Sequence, residues 1–167
     1  MTRKSTPAAR HIPRREVLLL GFAGAAVAAA PVFAQSAKTP IEVWKDPDCG
    51  CCKDWVAHLE ANGFIVKVNE SGNDEMRARL GVPQKFGSCH TALAGGYAIE
   101  GHVPAREIRR LLRERPAAIG LAVPGMPVGA PGMDGPAYGG RRHPFDVVLL
   151  DKGGAAKVYQ RYEAGRE

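Results

Sequence analysis

Ile41-Glu42-Val43-Trp44-Lys45-Asp46-Pro47-Asp48-Cys49-Gly50-Cys51-Cys52 runs from an alternating apolar segment straight into a cysteine cluster. Residues 41–44 alternate as a half-buried strand does. From Cys52 onward Trp55, Val56 and Leu59 recur on one helix face, and Gly63 supplies the stop. Three thiols therefore sit within four residues where a strand hands over to a helix. Such a junction favours thiolates, because free backbone N–H groups and the positive end of the helix dipole stabilise the charged sulfur. Cys89, the fourth and last cysteine, has no helix of this kind behind it, and all four are candidates for one site. Two structural disulfides are the alternative use of four cysteines in an exported protein. Cys51 and Cys52 are adjacent and cannot pair with each other without strain.

Further along, residues 65–68 read as a second strand and 74–80 as a short second helix. Residues 91–93 and 97–99, joined through Gly95-Gly96, form a predicted hairpin. Pro104 opens a helix carrying Ile108, Leu111 and Leu112. Residues 116–144 hold six of the thirteen prolines and many glycines, which predicts a long loop without regular structure. Residues 145–150 and 157–162 close the chain as a last hairpin around Gly153-Gly154.

The order strand, helix, strand, helix, hairpin, helix is that of a thioredoxin-like α/β domain: a central mixed sheet flanked by helices, here with a long Gly/Pro/Met loop before the last hairpin. A Cys-x-x-Cys at the first strand–helix junction is where that fold carries its redox pair, and Cys49 and Cys52 have that spacing. Thioredoxin-like proteins enter their third strand through a cis-proline loop. The matching segment here is Ser88-Cys89-His90-Thr91, with His90 near the proline's place. That departure removes the usual peptide dock and aims a fourth sulfur at the first three, which argues against an ordinary dithiol exchanger.

The start of the chain reads as an export signal. Arg14-Arg15 precede an apolar, Ala/Gly-rich stretch of about fourteen residues, short of the ~20 that span a bilayer. Val32-Phe33-Ala34 offers small residues for cleavage after Ala34, and the paired arginines indicate the twin-arginine route to the periplasm. The formal net charge of +6 belongs mostly to this leader. Residues 1–34 take five of the 23 basic and one of the 17 acidic side chains, leaving 18 against 16, or +2. No basic stripe with interleaved aromatics remains, so nucleic acid is not an expected partner. No later segment is long and apolar enough for stable membrane insertion after cleavage. The organisation is then a signal at 1–34, a lead-in at 35–40, one domain at 41–162 and a tail at 163–167.

Three motifs occur in order: Trp44 through Cys52, then Ser88-Cys89-His90-Thr91-Ala92, then Gly125-Met126-Pro127-Val128-Gly129 through Pro131-Gly132-Met133. Together they resemble the CopG-type copper-resistance proteins, an exported thioredoxin-like family long described as a domain of unknown function with metal binding. The resemblance covers roughly residues 40–162. It implies a periplasmic copper protein with Cys49, Cys51, Cys52 and Cys89 as metal-binding positions, and it implies no particular reaction.

The residues themselves point the same way. Soft thiolates select Cu(I), zinc or iron–sulfur centres over hard cations. Structural zinc usually takes two well-spaced ligand pairs, whereas three cysteines in four residues suit bridging thiolates better than one small ion. The expected cargo is Cu(I), more than one ion per chain, with zinc or no metal as the alternatives. His90 adjoins Cys89 and either ligates metal, tunes a thiolate or fills space. His58 and His143 are expected at the surface, and His102, in a turn, carries no signal. Met126 and Met133 lie in the Gly/Pro loop, where thioethers form a lid or access path for Cu(I), or else plug the loop onto the fold. Met76 reads as core, and Asp48 as a cap for the first helix. Three functions stay open: a Cu(I) store or carrier, a protein whose thiols reduce Cu(II), and a metal-free thiol–disulfide oxidoreductase using Cys49 and Cys52. Expected partners are copper ions and other periplasmic copper-handling or redox proteins.

Overall fold

The computed structural model of the protein describes residues 38–165; the predicted export signal and its cleavage after Ala34 lie outside them. Seven strands form one mixed sheet in the order β2-β1-β3-β4-β5-β6-β7. They are β1 (Thr39–Lys45), β2 (Phe64–Asn69), β3 (His90–Ala94), β4 (Tyr97–Glu100), β5 (Gly120–Ala122), β6 (Phe145–Leu150) and β7 (Ala156–Tyr162). Helices α1 (Gly50–Ala61), α2 (Asp74–Arg79) and α3 (Ala105–Glu114) connect them. Among the described residues no helix is long and apolar enough to cross a membrane.

The periodicities of the sequence become these elements for ordinary reasons. In β1 the inward positions are Ile41, Val43 and Lys45. In α1 Cys52, Trp55 and Leu59 make one buried stripe against the sheet. Trp55 is fully buried and donates its indole N–H to the Val103 carbonyl at 2.9 Å, so the ring is both packed and satisfied. Truncating such a side chain costs about 3–5 kcal/mol, which makes Trp55 the main anchor of α1. Ile108 and Leu111 give α3 its buried face, next to Ile99 and Leu121 of the same core.

Three readings of the sequence need correction. The segment 116–144 is not wholly irregular: Gly120-Leu121-Ala122 form β5, parallel to β4, and residues 136–138 make a 3-10 turn. Three residues show no usable alternation. The strand fits only because a Cβ at Gly120 would lie 1.7 Å from the Ala98 carbonyl oxygen. Met76 is half-buried rather than core, and the buried side chain of α2 is Arg77. Asp48 is exposed and does not cap α1, whose N-cap is Cys49 with no side-chain cap bond.

Strand register decides where the site lies. β1 runs antiparallel to β3 with Lys45 opposite His90, so the chain leaving β1 and the chain arriving at β3 share one end of the sheet. β3 and β4 pair with Thr91 opposite Glu100, which brings the exit of β4 to that same end. Parallel pairing of β4 and β5, with Glu100 opposite Ala122, adds the start of the Gly/Pro loop. Four connections converge there.

Candidate metal centre

β1 ends in a tightly held turn. Lys45, although 2% exposed, satisfies its ammonium group by donating to the Asp46 carbonyl at 2.8 Å and to Glu70 at 3.2 Å. The Cys49 N–H then donates to the Asp46 carbonyl at 3.2 Å, and α1 begins at Gly50. Cys51 and Cys52 thus occupy the first turn, with free N–H groups and no acidic side chain beside them. Cys49 and Cys52 are joined by a disulfide, while Cys51 and Cys89 are free thiols. Cys52 is fully buried and Cys49 half-buried, so Cys49 is the more accessible member of the pair.

Cys89 comes in from the start of β3. Its sulfur lies 3.9 Å from Cys51 Sγ, and Cys51 Sγ lies 3.6 Å from Cys49 Sγ. All four sulfurs are within 4.8 Å of one another. A tetrahedron of ~2.3 Å metal–sulfur bonds has edges of about 3.8 Å, so these separations already suit metal–thiolate chemistry. Three cysteines from four consecutive residues thus lie together with Cys89, two of them joined in the disulfide.

The histidines change the picture most. His102, assigned no role from the sequence, is fully buried with Nε2 3.2 Å from Cys89 Sγ. Its Nδ1 lies 2.8 Å from the Pro131 carbonyl, which can only accept. Nδ1 therefore carries the hydrogen, and in the neutral ring Nε2 is a bare acceptor for the Cys89 S–H. Burial lowers the His102 pKa, against the opposing pull of that carbonyl, and so favours the neutral ring. His90 is fully buried, with Nδ1 3.4 Å from Cys89 Sγ and its ring 4.2 Å from that of Trp55. Burial, and then the nearby His102, hold its pKa well below the usual histidine value. His90 Nε2 is buried with no hydrogen-bond partner. Cys89, His90 and His102 thus form a second ligand cluster that shares one sulfur with the first. Burial, with Cys51 next to it, pushes the Cys89 thiol up to about 12.

His58, expected at the surface, is half-buried and accepts the Ala105 N–H at 3.1 Å, satisfying the start of α3. His143 is exposed, as expected. Met133 is buried, and its sulfur accepts the Tyr138 hydroxyl at 3.2 Å. Met126 is 53% exposed. The loop between them rests directly on α1: a Cβ at Gly132 would lie 2.6 Å from the Cys51 carbonyl oxygen and 2.7 Å from the Trp55 nitrogen. Tyr138 has its pKa raised by desolvation and then by the nearby Cys51 thiol.

A buried polar network fixes Ser88, the residue before Cys89. Glu100 accepts the Ser88 N–H at 2.6 Å, Arg77 Nε at 2.9 Å and the Thr91 hydroxyl at 2.6 Å. Arg77 Nη2 and Asn73 Nδ2 both donate to the Ser88 carbonyl, at 2.6 and 3.2 Å. The Ser88 hydroxyl donates to the Gly125 carbonyl at the start of the loop. Lys45, Arg77, Glu100 and His102 were not singled out from the sequence. For His102 a signal existed. Continuing the β3–β4 register from Thr91–Glu100 places Cys89 opposite His102.

The family described as "Protein of unknown function, DUF411" matches residues 86–133, which include Cys89, His90, His102 and both loop methionines. No curated protein matches the chain. Two solved structures do, both named copper resistance protein CopG. Form 2 is 49% identical with a TM-score of 0.69, and form 1 is 48% identical with a TM-score of 0.70. Each match covers 75% of this chain and 98% of the other. At that identity and coverage, the chain belongs to the CopG-type copper-resistance family.

Proposed function

We propose that this chain handles copper in the periplasm, holding Cu(I) on the thiolates of Cys49, Cys51, Cys52 and Cys89, more than one ion per chain. The observation that carries the reading is the convergence of four sulfurs within 4.8 Å. Once the Cys49–Cys52 disulfide is reduced, these clustered soft donors prefer Cu(I), and thiolates this close can each bridge two ions. His90 and His102 flank Cys89 and supply nitrogen donors to the same ions. Met133, buried within the loop that covers α1, and Met126, exposed near its start, are thioether contacts for arriving copper. The order β2-β1-β3-β4, with β1 and β2 parallel and β3 antiparallel to β1, supports a thioredoxin-like core extended by β5, β6 and β7. Export by the twin-arginine route with cleavage after Ala34 completes the reading.

The Cys49–Cys52 disulfide favours a redox role within this function. Two thiols that close to one disulfide release two electrons and two protons, and two Cu(II) accept those electrons to become Cu(I). The same disulfide is the observation behind the second reading, a metal-free thiol–disulfide oxidoreductase.

Anaerobic loading of the reduced protein with Cu(I), followed by elemental analysis and a free-thiol count, separates the two. More than one copper per chain is expected, with Cys51→Ser lowering the ratio while the domain stays folded. One copper or less in the parent protein removes the cluster, and none leaves the oxidoreductase.

A further inference from the structure

Cys51 is the sulfur in contact with both Cys49, at 3.6 Å, and Cys89, at 3.9 Å. Cys49 is already bonded to Cys52, so the four sulfurs are linked by successive contacts in the order Cys52, Cys49, Cys51, Cys89. Thiol–disulfide exchange requires a thiol against one sulfur of a disulfide, and a mixed disulfide as intermediate. Both free thiols of the chain belong to this succession, one touching the disulfide and the other touching the first thiol. Closing either contact to the ~2.05 Å of an S–S bond needs less than about 2 Å of sulfur movement, within the reach of side-chain rotation.

We infer that Cys51 and Cys89 are a second disulfide position, reached from Cys49–Cys52 by two internal exchanges across the Cys49–Cys51 contact. In the first exchange the Cys51 sulfur bonds to Cys49 and displaces Cys52. Cys52 leaves as a thiol and takes up the proton that Cys51 gave up. In the second, Cys89 bonds to Cys51 and displaces Cys49, which takes up the proton of Cys89. Two thiols and one disulfide stand on each side, so neither oxidant nor reductant is consumed. The exchange concerns the same sulfurs as the proposed copper site but needs no copper. It carries oxidising equivalents from the fully buried Cys52 to Cys89, beneath the Gly/Pro loop, and frees Cys49 and Cys52 together as a dithiol. With both positions closed, the chain holds two disulfides and has given up four electrons.

The test uses metal-free, fully reduced protein treated with one and then two equivalents of diamide, quenched in acid, alkylated and cut with trypsin. Cleavage after Lys45, Lys53 and Lys85 leaves Cys49, Cys51 and Cys52 on one peptide and Cys89 on another, so a bond to Cys89 appears as a crosslinked pair. After one equivalent the crosslinked pair is expected alongside the Cys49–Cys52 form. On standing without oxidant its share should move to a constant value while free thiols stay at two per chain. After two equivalents no free thiol should remain. Cys51→Ser should abolish the crosslink, and the Cys49→Ser/Cys52→Ser double variant should retain it. Two thiols surviving two equivalents, with no crosslinked peptide in the parent protein, would overturn the inference and leave copper binding untouched. A crosslink that forms only with the second equivalent overturns the exchange, and one that persists in Cys51→Ser assigns Cys89 a different partner.

Discussion

Replacing Arg77 with Met tests whether the buried network behind Cys89 holds the site. The Arg77 and Glu100 side chains are 5% and 0% exposed, and their 2.9 Å ion pair is one of three bonds to the Glu100 carboxylate. Met fills much of the arginine volume but leaves Glu100 buried without its counter-charge and the Ser88 carbonyl without its 2.6 Å donor. Breaking a buried pair on one side costs about 3–5 kcal/mol. With a urea slope of about 2 kcal/mol/M, the unfolding midpoint should fall by roughly 2 M, followed through the fluorescence of buried Trp55. The pH dependence carries the sharper test. Burial raises the Glu100 pKa above its ordinary 4.5, while bonds from Thr91, Ser88 and Arg77 oppose the rise. Without Arg77 the folded-state pKa rises further above the unfolded one. A carboxyl raised in this way binds its proton first in the folded state, so stability grows as pH falls through the folded pKa. The variant gains more on acidification than its parent, and its deficit should be largest at neutral pH and narrow toward pH 4.5. A deficit below about 1 kcal/mol at neutral pH, or one that does not change with pH, refutes this account of the network.

Two further outcomes follow from the loop and the leader. Gly132→Ala places a methyl against the backbone of α1 at a residue whose φ is +82°, and should cost about 2–4 kcal/mol in thermal or urea unfolding; an unchanged midpoint would show that the loop does not rest on α1 in solution. Changing Arg14 and Arg15 both to Lys should strand the precursor in the cytoplasm on fractionation. Normal periplasmic accumulation of that variant means another export route.

How much of this was legible beforehand depended on the range of the signal. The alternation of Ile41 and Val43 and the helical recurrence of Trp55 and Leu59 are local, and both elements formed where the pattern indicated, with ends shifted by a few residues. Cys89 could be brought to Cys49, Cys51 and Cys52 because cysteine is rare in this chain and chemically marked. Arg77 was hidden because an arginine on a six-residue polar helix looks like a solvated charge, and its buried counter-charge, Glu100, lies twenty-three positions away. Lys45 was hidden in the same way: it continues the inward alternation of β1, but its polar partners lie in the turn and at Glu70. His102 belongs to neither case. The predicted hairpin through Gly95-Gly96 already contained the pairing that sets it against Cys89, two positions beyond the Thr91–Glu100 pair on each side. β5 stayed out of reach because three residues of Gly, Leu and Ala carry no period.

The β3–β4 hairpin also bears on how the site assembles during folding. Cys89 and His102 are thirteen residues apart, whereas Cys51 and Cys89 are separated by thirty-eight. By loop-closure entropy the longer separation costs about 1 kcal/mol more to close. The hairpin half, with its thiol against a neutral imidazole, is therefore the part of the site that closes at the lower entropic cost. Local pairing thus places one sulfur of the site, and the non-local β1–β3 ladder brings the other three to it.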